Sequence, residues 1–303
     1  GKSDDPVTLG RDALLKHFAT YPEGDPRNRL TSRETLAAVK TVTRDELYAW
    51  YKNAVATTHG EVAVVGDFDK DAVKAALTKA LGAKKPADKT TDFVRYWADY
   101  KPVAAERIVI DTPAKENAVL LARIDFKGSM FDSAAPAYIT ADWILGGGTG
   151  LSNRLVDRLR QKEGLSYGVG SHVSLPKFGD RANWSLYAIT APQNLARAEL
   201  CAREEIARIV KDGITEKELA EAKKGILESR AVNRAQDDYL AQGWLEFLST
   251  GRTYAFSADF EAGVEKLTVA DVNAALQKMI DPAGVTFVLA GDKAKAEKAG
   301  KAF

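Results

Sequence analysis

The chain has 303 residues, 43 basic side chains against 42 acidic ones, a formal net charge of +1 and 45% hydrophobic residues. That balance fits a globular protein of about two domains and argues against a nucleic-acid surface, which needs clustered basic excess, whereas runs such as Lys84-Lys85 and Lys223-Lys224 are short and mixed with acids. The lone Cys201 excludes an intrachain disulfide and reads as a small buried hydrophobe, and no stretch approaches the roughly 18 apolar residues of a membrane span.

In chain order, helical periodicity covers about 7–20, 44–53 and 69–81, and the polar, breaker-containing stretch 82–92 reads as a linker. Strands are predicted at 107–111 and 118–126, helices at 134–145 and 151–162, and strands at 167–175 and 182–190. Helices then dominate at 194–210, 216–248 and 269–279 before a closing strand at 285–290. Strands in adjacent pairs and helices in runs predict an α+β fold, a largely antiparallel sheet with helices on one face.

Two segments agree at a constant offset of 225. Thr43, Glu46 and Leu47 fall on Thr268, Asp271 and Val272, and Val62-Ala63-Val64-Val65-Gly66-Asp67 falls on Phe287-Val288-Leu289-Ala290-Gly291-Asp292. Each copy reads as a helix opened by a Thr N-cap with an acid three residues on, followed by an apolar strand closed by Gly-Asp. A repeat of about 225 residues implies a nearly complete second copy and only the last third of a first. We therefore expect 1–92 to be the truncated end of a first domain plus linker, and 93–303 to be a complete second domain.

The most distinctive segment runs from Gly146-Gly147-Gly148-Thr149-Gly150 through Leu151-Ser152-Asn153-Arg154-Leu155 to Arg160 and then Gly164-Leu165-Ser166-Tyr167. A phosphate cradle is excluded by context, because a helix and not a strand precedes the glycines and no Gly-Lys-Ser/Thr follows; a flexible interhelical turn is expected instead. Leu151, Leu155 and Leu159 face the core, Glu163-Gly164 ends the helix, and Arg160 and Tyr167 are brought near each other. A guanidinium fork and a phenol together can hold a peptide carbonyl or a developing oxyanion. A structural reading stands beside this one: Arg160 against the helix dipole, paired with Asp157 across one turn, and Tyr167 sharing a strand face with Val169 and Val173.

Gly-Gly-Gly, Ser-x-Arg-Leu and Arg-x-x-x-Gly-Leu-x-Tyr, with Thr-x-x-Glu-Leu and Val-Val-Gly-Asp-Phe upstream and Arg234-Ala235-Gln236-Asp237 and Gly251-Arg252 downstream, resemble the pitrilysin/insulinase family of inverted-zincin metalloproteases over nearly the whole chain. The resemblance implies duplicated metalloprotease-like α/β sandwich domains and the C-terminal, non-zinc-binding half of a fused bacterial member. In that half, Arg160 and Tyr167 would be the catalytic residues, reaching the substrate backbone across a closed chamber. The inverted motif His-x-x-Glu-His is absent: His17, His59 and His172 lie far apart and none begins that pattern. Glu204-Glu205 and Asp237-Asp238 point in different directions on helices and read as solvated surface, and His172 reads as structural.

The implied function is half of a zinc endopeptidase, inactive by itself, without metal or other cofactor in this chain and with zinc in a missing N-terminal half or partner subunit. Expected partners are that half and a peptide substrate, with no nucleic acid and no membrane, and the resemblance implies a periplasmic location. The alternative is a family member without catalysis that serves as scaffold or peptide-binding subunit.

Overall fold

The computed structural model describes residues 4–54, 60–82, 95–148 and 153–303. The expected linker after Gly82, the His59 position and the helix start at Leu151 lie outside the described residues. The chain forms two compact units. One is assembled from 1–33, 96–228 and 260–303, the other from 34–95 and 229–259.

The larger unit is built on a five-stranded sheet of β1 (Arg107–Asp111), β2 (Ala118–Lys127), β3 (Ser166–Ser174), β4 (Arg181–Thr190) and β5 (Thr286–Gly291) in the order β1-β5-β2-β4-β3. Only β1 and β5 run parallel; the other neighbours are antiparallel, as the paired strand pattern predicts. Side chains alternate between the two faces. Ala118, Leu120, Ala122 and Phe126 of β2, with Ala182, Trp184, Leu186 and Ala188 of β4, point into the main core. That core is closed by α5 (Ala135–Asp142), α6 (Leu195–Asp212) and α10 (Val269–Met279).

The other face carries one helix, α1 (Pro6–His17), which the expectation of helices on one face did not include. Leu14 and Phe18 cover Val119, Leu121, Val288 and Ala290, so β5 is buried on both sides and reads as a continuous apolar run. His17 fastens this helix: Nδ1 lies 3.0 Å from Glu106, and Nε2 2.9 Å from the carbonyl of Ala104. Beyond α1, no described helix covers the β3 and β4 part of this face, where Tyr167, Tyr187, His172 and Ser174 are exposed.

In the smaller unit lie α3 (Arg44–Ala54), α4 (Lys70–Leu81) and α8 (Asp237–Ser249). The helix predicted at 216–248 is two, α7 (Glu216–Arg234) and α8: Gln236 is extended, and Asp237 and Asp238 restart the helix where acids favour its positive end. Two further helices, α2 (Ser32–Thr41) and α9 (Ala255–Lys266), lie outside the predicted elements. Val62–Val65 forms no strand, and Val62 and Val64 are exposed, because no described strand pairs with them. Helices α3 and α10 nevertheless keep the 225-residue offset at both ends, and each opens with the same reciprocal cap: the backbone N–H of Thr43 donates to Glu46 at 2.8 Å, and that of Thr268 to Asp271 at 2.8 Å.

Candidate functional site

The glycine segment is not a slack turn. α5 continues into a π-helical turn, Trp143–Gly147, whose wider winding brings the glycines against neighbouring groups. A Cβ on Gly146 would lie 2.6 Å from the Ser171 hydroxyl and 2.9 Å from its backbone nitrogen, and one on Gly147 would strike the Asp142 carboxylate. The glycines are therefore required by close backbone approach, which replaces the flexibility expected for 146–148; 149–152 lie outside the described residues.

Asn153 begins the next helix by accepting the backbone N–H of Val156 at 2.9 Å. This helix too widens into a π turn over Val156–Lys162, with Leu155 and Leu159 fully buried. It ends at Gly164, whose φ of 63° is the left-handed conformation expected just past a helix end. Leu165 then returns its N–H to the Leu159 carbonyl at 2.8 Å, and the chain enters β3.

Arg160 is exposed within that π turn. Asp157 does not pair with it; its carboxylate takes Lys162 at 2.7 Å. Among the described residues the Arg160 guanidinium has no ion pair or hydrogen-bond partner. Tyr167 does not share the buried face of Val169 and Val173 either: a bulge between Ser166 and Gly168 breaks the alternation, and the ring is 68% exposed. Ser166 fills the bulge, its hydroxyl within 2.9 Å of the Gly168 carbonyl and 2.7 Å of the Ile189 carbonyl. Both side chains line the same two hollows. One, of about 450 Å³, also has Asn117, Ser166 and Asn194 in its wall; the other, of about 360 Å³, has Gly146–Gly148, Gly170 and Tyr187. A guanidinium and a phenol that make no bond within the described fold thus share a rim paved with glycine backbone.

Residues 41–226 match the family described as the peptidase M16 inactive domain. The chain belongs to this family. It is 26% identical over 294 residues to an uncharacterized zinc protease of Mycobacterium leprae, an alignment covering 92% of this chain and 61% of that protein. In fold it resembles the peptidase M16 inactive domain from Pseudomonas fluorescens, with a TM-score of 0.74, 21% identity and coverage of 96% of this chain and 67% of that one. It also resembles the periplasmic protease PqqL from Escherichia coli, with a TM-score of 0.57, 19% identity and coverage of 75% of this chain and 25% of that one.

A zinc site does not fit the described part of this M16 inactive domain. No group of three or more His, Cys, Asp or Glu that could hold a metal occurs among the described residues. His17 is committed to its clasp, and His172 stands exposed on β3. Nor is any described helix long and apolar enough to cross a membrane. Cys201 is buried and its thiol is pushed up chiefly by desolvation, which leaves it a packing residue.

Four residues around or beyond this rim take roles that the sequence did not assign them. Arg154 grips Glu218 with Nε at 2.7 Å and an amino group at 3.0 Å, tying the helix start to α7. Tyr187 lies over Gly170, where a Cβ would come within 3.1 Å of its ring. Glu205, expected at the solvated surface, is buried and bound to Arg208. The fourth is Asp142, the last residue of α5. Its carboxylate accepts the Ser171 hydroxyl at 2.5 Å, the Trp184 indole N–H at 3.0 Å and the Val173 N–H at 3.1 Å. It thereby fastens the glycine turn to the strand that carries Tyr167.

Desolvation holds the Asp142 carboxyl above the usual carboxylate range despite these donors. Asp142→Asn sets an amide N–H against at least one of three donors and is expected to lower stability by ~1–3 kcal/mol. A raised folded-state pKa means that the carboxyl's contribution is fully present in acid and is lost as the pH climbs through the raised value. The stability gap between wild type and Asp142→Asn, read by urea unfolding at a series of pH values, should therefore narrow with rising pH; a widening gap would show that the ionised form is the favoured one.

Proposed function

We propose that this chain is the non-zinc half of a zinc endopeptidase and supplies a grip on the peptide substrate. Arg160 donates to a substrate carbonyl oxygen, and the Tyr167 hydroxyl holds the same stretch of backbone or the oxyanion that develops from it. Zinc belongs to a catalytic half or partner subunit, and this chain by itself does not cleave peptides. The observation that carries this reading is the pair itself: two exposed polar side chains, bonded to nothing among the described residues, held at one rim by a bulge and a helix end. The structural alternative had Arg160 paired with Asp157 and Tyr167 packed beside Val169 and Val173, and neither contact is made.

The first repeat adds support. Residues 1–92 are read as the end of a preceding domain and 93–303 as a complete second one, and the chain spans 61% of the Mycobacterium leprae zinc protease it resembles. Stripe residues that are buried in α10 have exposed counterparts in α3, as expected where a covering segment lies elsewhere. A periplasmic location is proposed from the family resemblance, with the Escherichia coli periplasmic protease as one structural neighbour.

A scaffold or peptide-binding member is the second reading. The coding sequence upstream of Gly1 and its neighbouring genes distinguish the two. A His-x-x-Glu-His there supports the enzyme; its absence from both supports the scaffold.

A further inference from the structure

The uncovered face of β3 and β4 leads from the Arg160 and Tyr167 rim to a second concavity. Along β4 the outward row is Ile189, Tyr187, Ser185 and Asn183, and along β3 it is Gly168, Gly170, His172 and Ser174; the intervening residues are buried in the core. Gly170 is paired with Tyr187 at one hollow, and Ser174 with Asn183 at the other. Between them lie only Ser185 and His172, also a pair.

The second concavity, about 460 Å³, is lined by Arg27, Arg29, Arg123 and Arg181 and by no carboxylate. Two acids pair with three of these four cations. Asp125, buried, takes Nε of Arg123 at 2.7 Å and Nε of Arg181 at 2.5 Å, and Asp25 takes Arg27 at 2.6 Å. Arg181 is further spent on the Phe18 carbonyl at 2.6 Å and the Thr20 hydroxyl at 3.1 Å. Arg123 lies 4.5 Å over the Phe18 ring, and its two terminal amino groups make no bond to any described residue. Arg29 is exposed and has no partner among them. The cleft thus keeps one whole guanidinium fork and the end of another, in a wall where positive charge exceeds negative. Such forks match the planar oxygens of a carboxylate.

We infer that this cleft is a subsite for a carboxylate of the bound peptide, either an acidic side chain or the C-terminal carboxyl. The assignment rests on the proposed peptide grip at Arg160 and Tyr167. Ser174 is seven residues beyond Tyr167 on β3, roughly 23 Å at ~3.3 Å per residue, and an extended peptide on the same face rises at the same rate. A carboxylate about seven residues from the gripped carbonyl therefore reaches the cleft, so the subsite selects both for charge and for distance.

The test is binding of tetramethylrhodamine-labelled twelve-residue peptides to the full 303-residue chain, followed by fluorescence anisotropy. One peptide is uncharged with an amide end, one has a free C-terminal carboxyl, and one carries a single internal Glu with an amide end. Wild type should bind a carboxylate peptide about tenfold more tightly than the neutral one, a difference of about 1.4 kcal/mol. Arg29→Gln, at a position with no bond to a described residue, should abolish that preference, Arg29→Lys should retain part of it, and both should keep the wild-type Tm. Whichever of the two acidic peptides is preferred identifies the source of the carboxylate.

Equal binding of all three peptides, no binding of any, or a preference untouched by Arg29→Gln would overturn the subsite. Arg29-dependent binding of inorganic phosphate without a preference for either acidic peptide would overturn it as well. Arg160→Ala separates the two claims: if it weakens all three peptides while Arg29→Gln does nothing, the grip stands and the subsite falls. If it changes nothing while the acid preference follows Arg29, the subsite stands and the grip falls.

Discussion

In the proposed enzyme, this chain assembled with a zinc-bearing half, Arg160→Ala is expected to lower kcat/KM about 10²–10³-fold with zinc content unchanged. The magnitude is that of removing one donor aimed at a developing oxyanion. The expectation rests on what surrounds Arg160. Asp157, which could have neutralised it, is taken by Lys162, so the guanidinium reaches the hollows with its hydrogen-bonding capacity intact. Tyr167→Phe removes one hydroxyl and keeps the ring, and should cost about 10²-fold, the lower end of the range for a single oxyanion donor. Neither side chain supports the fold through a bond to a described residue, so both variants should melt as wild type does. Steady-state kinetics with metal analysis on the same samples checks this. Unchanged kinetics in both variants would remove the grip, and zinc loss alongside the rate loss would point to misassembly.

Leu276→Ala should destabilise the isolated chain by ~2–5 kcal/mol, whereas Tyr51→Ala, its counterpart 225 residues upstream, should stay within about 0.5 kcal/mol. The two helices match in length and cap, but not in surroundings. Val272, Ala275, Leu276 and Met279 of α10 are buried in the main core. The corresponding Leu47, Trp50 and Tyr51 of α3 are 57%, 63% and 49% exposed. Truncating a buried leucine leaves a cavity, while truncating an exposed tyrosine leaves solvent where solvent was. If the covering segment belongs to another part of the enzyme, its presence should raise the cost of Tyr51→Ala to the level of a buried aromatic. Urea unfolding of both variants, with and without that half, reads all four values. A Tyr51→Ala as costly as Leu276→Ala in the isolated chain would mean that the stripe is already covered.

Local patterns were legible where the residues that decide them lie close in sequence. The caps at Thr43 and Thr268 follow from an acid three residues on, and β1 was placed at its observed bounds because its apolar run is short and flanked by polar residues. Gly164 at the helix end was equally plain. What escaped the sequence was decided by distant partners. Asp142 bonds to groups 29, 31 and 42 residues away, and Arg154 to a glutamate 64 away. Val62–Val65 has the composition of β5 but, among the described residues, lacks the neighbours that make β5 a strand. The break between α7 and α8 contains neither Gly nor Pro, so periodicity ran through it. Tyr167 is instructive because Arg160 and Tyr167 were singled out from spacing and resemblance, yet strict alternation would have turned the ring into the core. The bulge that turns it out is marked only by Ser166 and Gly168 on either side.

The central claim, that this chain can grip a peptide and cannot cut one, is tested most directly by turnover of a fluorogenic peptide in three mixtures: this chain with zinc, the zinc-bearing half with zinc, and both together. The account predicts turnover that is negligible in the first, low in the second and restored in the third. Robust hydrolysis by this chain with zinc alone, or a mixture no faster than the zinc-bearing half, would contradict it.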